Sequence, residues 1–372
     1  MVFASGSAGT AAMCHWAALS VEEGGAGGAD GKDHGGGHIL AVNDVYGGTA
    51  RMLSRTAKPL GVATTFLNFE QAGEEGIRKA LRPDTRVGAS HDQQKGADEQ
   101  IVWLECPTNP LLLVPPIPLI VKILDSLPVR PLLVVDTTFL SSFYFTPLVA
   151  APGAEPLADV VMSSLTKYSG GHTDIIMGAL VVSKQGLERH PNIIKGLRFL
   201  QNSLGATASP RDCHLMIRSI KTLGLRMLQH GLSALRLAAW LNSRDDVEHV
   251  RYPGLASDGA FHMVEQLISE NAKKELRFLG WTFPYTPVEA VTDVDSLDAV
   301  RTLGIPFGGV INFKLKDASP EQIKRFAAAL RLNALAVSLG GVESLLEVPA
   351  SMTHSVSCSS NRLLTAGLAR GR

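Results

Sequence analysis

The sequence carries no surplus charge of either sign: its 35 Lys and Arg balance 35 Asp and Glu over 372 residues. No Lys/Arg block stands out, so the basic stripe that a nucleic-acid or anionic-membrane partner requires is missing. Cysteine is scarce. Cys14, Cys106, Cys213 and Cys358 are scattered with no CxxC pair, which argues against a disulfide framework or zinc site and fits reduced thiols in a cytosolic protein. His34, His38, His172 and His354 are too dispersed for a metal centre. Long hydrophobic runs are also lacking. The most apolar stretch, Leu111 to Leu124, is interrupted by Pro115, Pro116 and Pro118, too short and broken to span a bilayer. The first Lys is Lys32, so the start has no cationic segment of a signal or transit peptide and begins as if inside a domain. What is present, 45% hydrophobic and 19% charged residues, describes a globular chain and excludes the disordered and fibrous classes. At about 150 residues per domain, two or three domains are expected.

Residues 1–185 alternate apolar, β-rich runs with segments of helix length. The strand candidates are His38–Asn43, Thr64–Phe69, Ile101–Glu105, Leu132–Val135, Asp159–Ser163 and Ala179–Ser183. Continuous apolar runs separated by helical segments predict an α/β domain whose parallel sheet is covered on both faces. Several runs end in polar residues, Asn43-Asp44, Glu105 and Asp136, where open α/β sheets form their ligand crevice. Gly24–Gly37 reads as a flexible insertion, because a GxGxxG spacing between strand and helix is absent. From Thr207 to Leu241 apolar residues recur at near-helical spacing and predict a long helix. A second, smaller α/β region follows Arg251-Tyr252-Pro253-Gly254, with a helix at Ser319–Leu332 opened by Ser-Pro-Glu-Gln. The boundary falls near residue 243, giving a large domain 1–243 and a smaller domain 244–372 with a divergent end.

Four segments carry candidate chemistry. In Asp159–Asp174, a strand ending at Ser163-Ser164 is followed by Thr166, Lys167, Tyr168 and a Gly170-Gly171 turn. Hydroxyls at Ser164 and Thr166 face one way and suit a phosphate, while Lys167 suits an imine with a carbonyl cofactor; a solvated lysine in a surface turn is the plain alternative. In Leu132–Phe139, Asp136 follows four apolar residues and needs a cation if buried; a pyridinium nitrogen is one, and a simple helix N-cap is the alternative. In Asn43–Arg51, Tyr46 stands beside a Gly-Gly turn and suits stacking on a planar ring, although such a turn often has no further role. The opening Phe3-Ala4-Ser5-Gly6-Ser7 leads into an Ala-rich helix whose first amides suit a phosphate.

Taken together, FASG, DVYGGT, ECPTNP, VVDTTF and SSLTKYSGGHTD occur in an order that resembles the cystathionine γ-lyase and γ-synthase family of pyridoxal-phosphate enzymes. LRFLQNSLGA, SPRDC, KTLGLRM, YPGL, SLGGVESL and PASMTH extend the resemblance over residues 3–354. The resemblance implies the aspartate-aminotransferase type of fold (fold type I), with a large cofactor-binding domain and a smaller C-terminal α/β domain, assembled as dimers and tetramers. It implies pyridoxal 5'-phosphate as cofactor, Lys167 as its Schiff-base lysine, Asp136 as partner of the pyridine nitrogen, and Tyr46 as the stacking and proton-transfer residue. Gly6 and Ser7 amides with the Ser164 and Thr166 hydroxyls would hold the phosphate, Asn109 would sit near the ring oxygen, and Ser338 would lie at the substrate carboxylate. The implied reaction is γ-elimination of cystathionine to cysteine, ammonia and 2-oxobutanoate, with a small amino acid as the only partner besides other copies of the chain.

Departures from the pattern define the alternatives. Val337 stands before SLGG where γ-lyases and γ-synthases typically have Glu, which resembles methionine γ-lyase, yet that enzyme usually has Cys in place of Gly48. The family carries a long segment before FASG, with a Tyr and an Arg that reach the neighbouring subunit's phosphate, and an IRLSVG-like strand after PASMTH whose Arg clamps the substrate carboxylate. Here FASG stands at residues 3–6, and the chain runs on from PASMTH through Ser355, Val356 and Cys358, with Arg362 and Arg370 in other contexts. γ-Synthase and methionine γ-lyase activities, a truncated and catalytically weak or inactive cofactor-binding paralogue, or an incomplete gene model, are the remaining expectations.

Overall fold

The computed structural model describes residues 1–22, 37–81, 100–149, 155–288, 296–352 and 363–367. The Gly-rich stretch 24–36 and the positions of His34, His354, Cys358, Arg362 and Arg370 lie outside them.

The large domain is built on strands β1 (Val2–Phe3), β2 (His38–Val42), β3 (Ala63–Leu67), β4 (Gln100–Glu105), β5 (Leu132–Asp136), β6 (Val160–Ser164) and β7 (Gly178–Val182). They form one sheet in the order β1-β7-β6-β5-β4-β2-β3. The six expected strands all form, displaced by at most two residues. Five are parallel neighbours, as continuous burial of β2 and β5 demands. The all-parallel expectation fails at one edge: β7 returns antiparallel to β6, and β1 adds antiparallel to β7. Leu132 to Val135 and Ile101 to Leu104 are each at most 1% exposed, and burying each such side chain contributes about 1.5–3 kcal/mol.

Helices α1 (Gly6–Glu22), α2 (Gly47–Arg51), α3 (Phe69–Ala80) and α4 (Ile117–Asp125) follow the first strands, and α1 packs on β6 and β7. Further on come α5 (Ser141–Tyr144), α6 (Lys184–Arg189), α7 (Ile193–Ser203), α8 (Pro210–Ser219) and α9 (Leu223–Asn242). The single long helix expected over 207–241 is therefore two, joined by a 3-10 turn at Ile220–Thr222. Ser209 caps α8 by accepting from Asp212 N, so α8 also starts later than the apolar spacing implied.

Past α9 a second sheet forms from β8 (Val247–Arg251), β9 (Val310–Leu315), β10 (Asn333–Leu335), β11 (Ser344–Glu347) and β12 (Leu363–Gly367), in the order β10-β11-β12-β9-β8. It is antiparallel apart from β10 beside β11. β12, in the segment read from sequence as divergent, is an interior strand of this sheet. The helix at Pro320–Ala329 has a complete capping box: Ser319 Oγ accepts from Gln322 N while the Gln322 side chain accepts from Ser319 N. Tyr252, just after β8, ties α9 to the loop before β9 through its hydroxyl, which bonds Gly231 O and Gly308 O, and Asn312 Nδ2 of β9 donates to Pro110 O of the loop after β4 at 3.0 Å.

Candidate active site

Strands β4, β5 and β6 run parallel with Glu105, Asp136 and Met162 in register, so their carboxyl ends stand side by side. β2 pairs with β3 on one flank and with β4 on the other. The chain thus reverses its direction of sheet growth beside β2, which is where open α/β sheets leave a crevice. Loops following β2, β4, β5 and β6 converge there with α1 and with Val337–Leu339 and Leu345–Glu347 from the smaller sheet. They enclose a cavity of about 290 Å³. Gly6, Ser7, Tyr46, Asn109, Asp136, Ser164, Thr166, Lys167 and Ser338 all line it.

Lys167 is in a tight turn after β6: its own N–H donates to Ser164 O, and Gly171 N donates to Lys167 O. Its ammonium donates to Ser338 Oγ at 2.9 Å across the cavity. Burial lowers its pKa, partly opposed by the Glu347 carboxylate. Lys167 is therefore not the solvated surface lysine that its turn alone permitted. The SLGG turn closes against it at Gly340, which has φ of +84°; a Cβ there would lie 2.4 Å from Tyr168 N, so both conformation and space require glycine.

Asp136 is 9% exposed, and its Oδ1 accepts from Thr138 N at 2.8 Å and from Thr138 Oγ1 at 2.6 Å. The alternative of a helix N-cap thus appears only as this local turn. Burial pushes its carboxyl up to about 6 despite the two hydrogen bonds, and among the described residues no cation pairs with it. Asn109 Oδ1 is likewise buried in the cavity wall with no hydrogen-bond partner among the described residues. Its main-chain N–H donates to Asp44 O at 3.3 Å, which ties the Pro107–Pro110 loop to the one after β2.

Tyr46 precedes α2, lines the cavity and is 45% exposed. The two glycines after it begin this helix, where a turn was expected. Gly6 and Ser7 open α1, whose first-turn amides have no intrahelical acceptor. The two hydroxyls after β6 behave differently from each other. Thr166 Oγ1 donates to Met177 O at 3.2 Å and accepts from Met177 N at 3.0 Å, so in this structure its proton is committed to the main chain. Ser164 Oγ faces Gly6, 3.2 Å from where a Cβ would sit.

A sequence model of the Cys/Met metabolism PLP-dependent enzymes matches residues 33–278 and 290–370. The cystathionine gamma-lyase of Bacillus subtilis is 32% identical over 336 residues, covering 90% of this chain and 70% of that protein. The chain belongs to this family. The Dictyostelium discoideum cystathionine gamma-lyase is 33% identical over 86% of this chain, which spans 65% of that relative's length. Among solved structures, metB from Corynebacterium glutamicum superposes with a TM-score of 0.71 at 28% identity, over 100% of this chain and 77% of that one. Cystathionine gamma-lyase from Lactobacillus plantarum, complexed with L-serine, gives 0.70 at 26% identity, over 100% and 78%. The fold is accordingly that of the type I pyridoxal-phosphate enzymes, and pyridoxal 5'-phosphate is the family's cofactor.

The cavity fits that group. Among the described residues it offers a buried carboxylate without a cation, an amide oxygen without a donor, a lysine with lowered proton affinity, and a helix start whose Ala8 amide is capped by Ser5 Oγ while those of Gly6 and Ser7 have no intrahelical acceptor. Each is costly when left unmet and is satisfied by a planar cationic ring bearing an aldehyde and a phosphate. One lining residue had no role from sequence beyond its place at a strand end: Glu105, 5% exposed, accepts the Tyr46 N–H on both carboxyl oxygens, at 3.0 and 2.9 Å. Its one sequence signal was a charged residue closing an apolar run.

Proposed function

We propose that this chain is a carbon–sulfur lyase of sulfur amino acids, cleaving cystathionine with one water to cysteine, ammonia and 2-oxobutanoate. The observation carrying this reading is Lys167 Nζ, half-buried and 2.9 Å from Ser338 Oγ, in the cavity that holds the cation-free Asp136. When bound, pyridoxal phosphate supplies a sink for the electron pair left at the substrate's α-carbon. Asp136 keeps that sink charged by holding a proton on the ring nitrogen. The amides of Gly6 and Ser7 and the Ser164 hydroxyl hold the phosphate, with Thr166 joining by rotating away from Met177, and Asn109 meets the ring oxygen. Lys167 Nζ, with its lowered proton affinity, removes the α-proton while Ser338 Oγ orients it. Tyr46 stacks on the ring and shuttles the proton that the departing sulfur needs.

One observation favours a second substrate. Val337, 50% exposed in the lining of a cavity that Ile176 and Met52 also line, puts an uncharged side chain at its own position, and the Glu347 carboxylate of the same lining already faces Lys167. An uncharged thioether such as methionine suits that wall, with methanethiol as the sulfur product. Gly48 keeps the site apart from a Cys-bearing one, because a Cβ there would lie 2.3 Å from Tyr46 Cε1. Self-association as dimers or tetramers belongs to the same reading, with exposed Phe199, Ile217, Ile220 and Leu225 available for it. The scattered thiols and the absence, among the described residues, of a helix long and apolar enough to cross a membrane are compatible with a cytoplasmic location.

The test is direct. The purified chain with pyridoxal phosphate is given cystathionine, methionine or O-succinylhomoserine, and 2-oxobutanoate is measured. Release from cystathionine supports the first reading and release from methionine alone the second. Cofactor uptake with no product from any of them establishes an inactive paralogue. The Val337→Glu variant should shift preference toward cystathionine by roughly tenfold, the scale of one new charge-assisted hydrogen bond.

A further inference from the structure

Glu105 closes β4 inside the cavity, yet the proposed chemistry gives it nothing to do. It is 5% exposed, stands in register with Asp136, and has Asp44 as a further acidic neighbour. A second carboxyl beside a buried first one is costly, and burial together with Asp136 drives its pKa well above the usual carboxylate range. Against that cost stands one arrangement. Both carboxyl oxygens accept the N–H of Tyr46, and the Thr49 hydroxyl adds a further hydrogen bond. Tyr46 is thus held at its main chain from two sides, by Glu105 at its N–H and by Ala50 N at its carbonyl, 2.9 Å away. Its ring leans over Gly48 and the residue is 45% exposed, so the main chain sets where the ring stands.

We propose that Glu105 is a positioning residue: it clamps the main chain of Tyr46 and thereby holds the Tyr46 ring on the wall of the cofactor cavity. The clamp spans β4 and the loop after β2, the two strands that flank the point where sheet growth reverses, so it also fixes the width of the crevice at Tyr46. This rests on the proposed role of Tyr46 as the residue that stacks on the cofactor.

The experiment compares wild type, Glu105→Ala, Glu105→Gln, Tyr46→Ala and the double variant Glu105→Ala/Tyr46→Ala. Two readouts are taken: hydrogen exchange of the 43–51 segment without cofactor, and the dissociation constant for pyridoxal phosphate. Orphaning one buried amide should speed exchange at Tyr46 about tenfold in Glu105→Ala and weaken cofactor binding by a similar factor. Glu105→Gln keeps an acceptor and should stay within about threefold of wild type in both. Because Glu105 acts through Tyr46, the double variant should bind no more weakly than Tyr46→Ala alone. Unchanged exchange in Glu105→Ala, or losses that multiply in the double variant, overturn the proposal. Wild type that takes up no pyridoxal phosphate while Glu105→Ala still exposes the Tyr46 amide removes the cofactor role of Tyr46 and leaves the clamp standing.

Discussion

Two buried aspartates at opposite ends of the same sheet are treated in opposite ways. Asp159, just before β6, is fully buried and enclosed by the protein itself: Leu133 N donates to it at 2.8 Å, Arg189 Nη1 at 2.8 Å, and Arg130 Nη1 bonds the same carboxylate. Asp136, at the far end of β5, has only Thr138 as a hydrogen-bond partner among the described residues. The first carboxylate is a finished structural knot at the amino edge of the strands. The second is an open valence at the carboxyl edge, where its neighbours Asn109 and Lys167 also face the cavity. Two arginines reach one buried carboxylate and, among the described residues, none reaches the other, which supports the proposal that Asp136 meets a cation from outside.

Substitutions at the two edges should therefore separate function from stability. Lys167→Ala should reduce turnover on the order of ten-thousand-fold, as loss of a reacting amine does, with an unchanged thermal melt. Asp159→Ala should do the reverse. It removes one of the two carboxylates on Arg130, whose side chain is only 11% exposed and keeps Asp125, and should cost about 2–3 kcal/mol in chemical denaturation, with the cofactor affinity of the folded fraction unaltered. Asp136→Asn sharpens the contrast through pH. Since its folded pKa lies above its unfolded one, native Asp136 holds a proton that the unfolded chain has released, so its contribution is full below about pH 4 and lost as pH rises through about 6. Without cofactor, the Asn variant should be more stable than wild type above pH 6, by up to about 3 kcal/mol, and should lose cofactor binding. Ser319→Ala, far from both edges, should cost about 1 kcal/mol of stability through the lost cap and leave activity untouched.

Much of this contrast was legible in the residues alone. The six large-domain strands announced themselves because fully buried runs between turns have few other homes, and polar residues at their ends marked the crevice. The nine site residues identified by motif order all reached one cavity, since each lies within a few residues of a strand end or helix start. The direction of β7 was not legible, because burial records faces and not polarity, and β1 has only two residues to carry a pattern. β12 was missed because Leu363–Gly367 is short and the terminal part was read as divergent, although the family model matches through residue 370. The use of the Thr166 hydroxyl by Met177, and the clamp of Glu105 on Tyr46, depend on contacts between distant segments that spacing does not encode.

The open edge is tested most directly by reductive trapping. The chain is incubated with pyridoxal phosphate, reduced with borohydride, digested, and mapped by mass spectrometry. One stoichiometric modification at Lys167, weakened in Asp136→Asn and preserved in folded Asp159→Ala, is the predicted result. Labelling spread over surface lysines, or equal labelling in Asp136→Asn and wild type at limiting cofactor, would contradict the account.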